Sequence, residues 1–122
     1  MPNAFVFDTY AVIEILGGNK NYDPYLDKEA IINDFIFAEL SYNLIKEKGT
    51  EKSNSVLNKY SKFILKIDAS IIKNAMAFRH DNRKKDISMT DCIGYFQAKS
   101  LGINFLTGDR QFEGLDSVEF VK

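Results

Sequence analysis

Four short, mainly apolar runs punctuate this chain: residues 4–7 (AFVF), 30–32 (AII), 103–106 (INFL) and 118–121 (VEFV). Longer segments with helical spacing lie between them. Runs this short, buried on both sides and separated by helices, indicate a parallel sheet in a layered α/β fold. A fifth run, "LKI" at 65–67, is a candidate for another brief strand.

The helices are punctuated clearly. Asp8-Thr9 opens one that runs to about Leu16 and closes at Gly17-Gly18. Asn33 or Asp34 caps a longer one reaching Lys48 before Gly49, with Phe37, Leu40, Leu44 and Ile45 at helical spacing. Further helices are expected over 51–64 and 69–80. Ser88 opens the last, which Gly102 ends.

At 122 residues, with no repeat and no linker, residues 1–122 read as a single domain. The chain is 45% hydrophobic and 27% charged, an ordinary globular composition. Cys92 is the only cysteine, which rules out an intrachain disulfide and fits a reducing compartment. The apolar run at the N-terminus is too short for an export signal, and no segment has the length of a membrane span. The expected location is the cytoplasm. Net charge is −1, so any basic surface must be local. The segment "RHDNRKKD" at 79–86 supplies one, with Arg79, Arg83, Lys84 and Lys85 against Asp81 and Asp86. A solvated helix end accounts for it as well as an anion contact does.

In a parallel α/β fold, ligands bind beyond the carboxyl ends of the strands. Two runs end by placing an acid there, Asp8 and Asp109. Glu39 and Asp91 lie on helices. Each acid has an ordinary structural use. Asp8 fits a helix cap, Asp109 an Asx turn, and Asp91 the second half of a Ser-x-x-Asp capping box begun by Ser88. Glu39 fits an exposed stripe but is harder to dismiss, because Phe35, Ile36, Phe37, Ala38 and Leu40 surround it. No lysine or arginine stands three or four residues from it; Phe35, Ile36, Tyr42 and Asn43 do. A half-buried carboxylate needs a cationic partner, and a hard divalent ion such as Mg²⁺ or Mn²⁺ fits oxygen ligands. Clustered acids around such an ion carry out phosphodiester hydrolysis. Zinc fits poorly, with one histidine (His80) and one cysteine available.

"FVFDTY", "FAEL", "ISMTDCIGYFQAKSLGINFLTGDRQF" and the closing "VEFV" together resemble the PIN-domain nucleases, in order and across nearly the whole chain. In size the chain is similar to the small VapC toxins of toxin–antitoxin pairs. That resemblance implies a three-layer α/β/α fold around a mainly parallel sheet. It also implies a Mg²⁺- or Mn²⁺-dependent endoribonuclease with Asp8, Glu39, Asp91 and Asp109 as catalytic, metal-holding acids. Thr9 and Thr107 match hydroxyl positions that steady those acids or their waters; the family often has Ser at the first. The resemblance further implies a homodimer and a cognate antitoxin seated in a groove, to which Phe35, Phe37, Tyr42, Tyr60 and Phe63 are candidate contributors. Arg83, Lys84 and Lys85 are candidate RNA-phosphate contacts.

Two other functions compete. A phospho-accepting receiver domain also has strand-end acids, but it needs a lysine that the "LTGD" turn lacks. A non-catalytic module of the same fold, binding RNA or protein, is the stronger alternative, and the intact set of acids argues against it.

Overall fold

A computed structural model describes residues 2–122. Its centre is a four-stranded sheet in the order β2-β1-β3-β4, parallel throughout. The strands are β1 (Ala4–Phe7), β2 (Glu29–Ile31), β3 (Asn104–Thr107) and β4 (Val118–Phe120). Five helices flank it: α1 (Thr9–Leu16), α2 (Asp34–Lys48), α3 (Thr50–Ser61), α4 (Ala69–Asp81) and α5 (Met89–Leu101). The arrangement is the expected three-layer α/β/α fold. No helix among the described residues is long and apolar enough to cross a membrane.

The core sits where the middle strands meet α5. Phe5, Val6, Phe105 and Leu106 are fully buried, and their neighbours Ile93, Ala98 and Phe112 are too. Gly94 lets α5 lie close on the sheet. A Cβ there would stand 2.7 Å from the Phe105 ring and 3.2 Å from Ile36. Every larger residue would push α5 off β3.

A buried amide pair joins α2 to α5. Asn33 caps α2 by accepting the Ile36 N–H at 2.9 Å, and its own amide donates to Gln97 Oε1 at 2.9 Å. Gln97 Nε2 in turn donates to the carbonyls of Ile32 at 3.2 Å and Leu65 at 3.3 Å. Both side chains are essentially inaccessible to water. Asn33, not Asp34, is therefore the cap.

Three expectations need correction. The "LKI" strand is reduced to a single bridge between Ile32 and Ile64, because Gln97 takes the Leu65 carbonyl that a longer ladder would use. The helix expected over 51–64 stops at Ser61, where tight turns at Phe63 and Ile64 bring the chain back to the sheet. The third strand begins at Asn104 rather than Ile103, whose N–H is spent on the Ala98 carbonyl in closing α5 around left-handed Gly102. Two 3₁₀ turns, Lys20–Tyr25 and Arg110–Phe112, carried no periodic signal.

The amide pair is the most exposed to test. Replacing Gln97 with Leu strands the Asn33 amide in the core and removes the side-chain donor to the Leu65 carbonyl, while the Ile32 carbonyl keeps the Leu65 N–H. It should lower unfolding stability by about 2–4 kcal/mol, read from urea denaturation.

Candidate metal centre

The sheet order decides where a site can form. From β1 the chain goes outward to β2 on one side and returns to β3 on the other, so the carboxyl ends of β1 and β3 flank a switch point. Asp8 follows β1 directly, and Thr107-Gly108-Asp109 ends β3. A cleft of about 610 Å³ opens there, with Asp8, Glu39, Asp91 and Asp109 on its walls.

Asp8 occupies the N-cap position of α1, yet its side chain makes no capping bond. Instead its Oδ2 accepts a 2.7 Å hydrogen bond from the Thr107 hydroxyl, across the β1–β3 boundary. That same hydroxyl accepts the Asp109 N–H at 3.1 Å. Thr107 thus ties both strand ends together and is wholly buried. Thr9 differs: its hydroxyl is buried but has no hydrogen-bond partner among the described residues.

Asp91 sits in the first turn of α5, where Ser88 Oγ accepts its N–H at 3.1 Å. The capping geometry is present and still leaves the carboxyl directed at the cleft. Glu39 reaches in from α2, which Asn33 and Gln97 fasten to α5 two turns beyond Asp91. Asp8, Glu39 and Asp91 each offer an oxygen within 4.8 Å of the other two. Asp109 stands apart from this trio. Its Oδ1 caps the following 3₁₀ turn by accepting the Gln111 N–H at 2.9 Å, the Asx-type role weighed for it above.

The trio has no ion-pair partner among the described residues. Burial, only partly offset by the Thr107 bond, pushes the Asp8 carboxyl up to about 6. Burial also raises Asp91, to about 9, with the charges of Asp8 and Glu39 adding to it. Without a cation the cluster therefore keeps a proton at neutral pH. Three oxygen donors at this separation, with no nitrogen or sulfur among them, suit one hard divalent cation.

The sequence matches the PIN domain family over residues 5–118. The chain belongs to the PIN domain family. No curated protein matches it at a significant level. Solved structures share the fold at low identity. A toxin–antitoxin complex from Klebsiella pneumoniae aligns with 20% identity and a TM-score of 0.73, covering 94% of this chain and 95% of that one. Mycobacterium tuberculosis VapC20, a toxin that cleaves the sarcin–ricin loop, aligns with 15% identity and a TM-score of 0.76, over 98% and 99%. PAE2754 from Pyrobaculum aerophilum gives 14% and 0.67, over 98% and 92%. This PIN domain is thus VapC-like in fold.

Some residues on the cleft wall were missed by sequence reasoning. Tyr10 covers Gly108, where a Cβ would come within 2.2 Å of its ring. Lys122 Nζ lies over that ring, 5.0 Å from its centroid, and donates to the Gly108 carbonyl at 3.1 Å. Arg110 lines the same wall. Only "TGDR" hinted at a cation beside the acids, and nothing local marked Lys122.

The raised carboxyls have a thermodynamic sign. Unfolded, each loses its proton near 3.9, while the folded protein keeps it to about 6 and about 9. The native state therefore binds more protons across that window, and stability falls as pH rises through it. In EDTA the melting temperature should drop between pH 5 and pH 8.5, and Asp91→Asn should remove most of the drop.

Proposed function

We propose that this PIN domain is a metal-dependent endoribonuclease acting as the toxin of a toxin–antitoxin pair. The carrying observation is the convergence of Asp8, Glu39 and Asp91 on one point, with no ion pair to any of them among the described residues. A Mg²⁺ or Mn²⁺ ion held by these acids supplies positive charge against a phosphoryl group and its developing transition-state charge.

The chain's own groups do the rest. Thr107 fixes the Asp8 carboxylate so that one oxygen is committed and the other faces the cleft. Glu39 and Asp91 are carried on helices locked to each other, which keeps the acids at ligand spacing without substrate. Asp109 has one oxygen tethered to Gln111 N–H and its second free of protein hydrogen bonds among the described residues, a position from which to orient a water or assist a further ion. Arg110 and Lys122 bring positive charge to the same wall for phosphate oxygens. His80 is outside the cleft, so no imidazole serves as a base there.

The antitoxin and homodimer belong to this reading as well. Of the aromatics considered for an antitoxin groove, Tyr60 is buried, edge-on to Phe63 at 5.4 Å, and serves the core. Tyr42 is 67% exposed on α2, and with neighbouring Ile45 it leaves apolar surface for a partner. The Klebsiella structure, a toxin–antitoxin complex of the same fold, supports such a partner.

Asp8→Asn and Asp91→Asn should each reduce RNA cleavage in Mg²⁺ or Mn²⁺ by at least about 100-fold while circular dichroism stays unchanged. Asp109→Asn should cost less, and EDTA should abolish cleavage by the unmodified protein. Undiminished cleavage in EDTA would defeat the reading.

A further inference from the structure

A second concavity, of about 470 Å³, lies between the end of α4 and the loop into α5, and cations line it. Its wall carries Arg79, His80, Arg83 and Lys85, with Asp86 as the only carboxylate. It shares no residue with the acidic cleft.

Both arginines are anchored on backbone carbonyls. Arg79 Nε donates to the Ile87 carbonyl at 3.1 Å, and Arg83 Nη1 donates to the His80 carbonyl at 3.0 Å. Both bonds end on neutral backbone oxygens, so they orient each guanidinium without cancelling its charge. Among the described residues, Arg79, Arg83 and Lys85 form no ion pair. A guanidinium presents five donors in a planar fork, so most of them stay available. Holding long cationic chains side by side costs rotamer entropy and repulsion, and a bound anion offsets both. Lys84 is different. It is absent from this wall and lines an adjoining concavity with Asp81, Asn82, Arg83 and Lys85.

The position in the fold points to the anion. The carbonyl gripped by Arg79 belongs to Ile87, Ser88 then caps α5, and Asp91 follows in its first turn. Four residues span at most about 14 Å, so the backbone carbonyl that anchors Arg79 lies within that reach of the Asp91 backbone. We propose that this pocket is a phosphate-binding subsite for the RNA strand, holding a backbone phosphate a few nucleotides from the cleaved bond. The proposal rests on RNA being the substrate.

Binding of a labelled single-stranded RNA of about 12 nucleotides, in EDTA to prevent cleavage, tests it. Arg83→Ala and Lys85→Ala should each weaken binding about tenfold and lower the salt slope by about one, with unchanged melting temperatures. Lys84→Ala should cost less than about twofold. In cleavage assays the first two variants should raise KM and leave kcat within about twofold. Equal losses in all three variants, no loss in any, or no RNA binding by the unmodified protein would overturn the subsite. If the pocket variants lose binding as expected but the unmodified protein cleaves nothing in Mg²⁺ or Mn²⁺, the nuclease reading falls and the pocket stands only as an RNA-phosphate site, not as a substrate subsite. If it cleaves and the three variants behave alike, the reverse holds.

Discussion

Three carboxylates crowded at the carboxyl edge of a parallel sheet set the terms for the rest of this molecule. Asp8 is almost completely buried, and Asp91 and Glu39 are partly so, with their oxygens within 4.8 Å of one another. Such a cluster opposes its own formation through desolvation and mutual repulsion. It persists because the elements carrying it are fastened by contacts that do not depend on it. A retained proton then makes up the charge, and in the proposed function a divalent cation takes its place.

The fastening is specific. Thr107 bridges the ends of β1 and β3 and meets Asp8 directly. Asn33 and Gln97 lock α2 to α5, so Glu39 and Asp91 are not free to swing apart. Gly94 seats α5 against Phe105 and thereby sets the depth of Asp91. Buried amides are costly unless fully paired, and here each is paired, which turns a potential weakness into a rigid joint.

The charge pattern has a matching logic. The net charge is −1, and five of the sixteen lysines and arginines line the two pockets. Arg110 and Lys122 stand on the cleft wall itself, and Arg79, Arg83 and Lys85 gather beside the start of α5. The three clustered acids and the cations of the second pocket nonetheless form no ion pair with one another.

Much of this was legible in the residues. Short apolar runs between capped helices determined a parallel α/β sheet, because strands buried on both faces must be apolar and need helical crossovers. Strand-end position marked Asp8 and Asp109, and an acid amid apolar neighbours marked Glu39. What a linear reading misjudged were features settled by distant partners. The strand at 65–67 gave way, its Leu65 carbonyl accepting from the Gln97 side chain, and Tyr10 and Lys122 came to the cleft wall from positions that carried no local signal. Sequence spacing fixes which face of its own helix a residue occupies. Only the packing of α5 on β3, and of α2 on α5, decides which faces meet, since that depends on the shapes of side chains far apart in the chain.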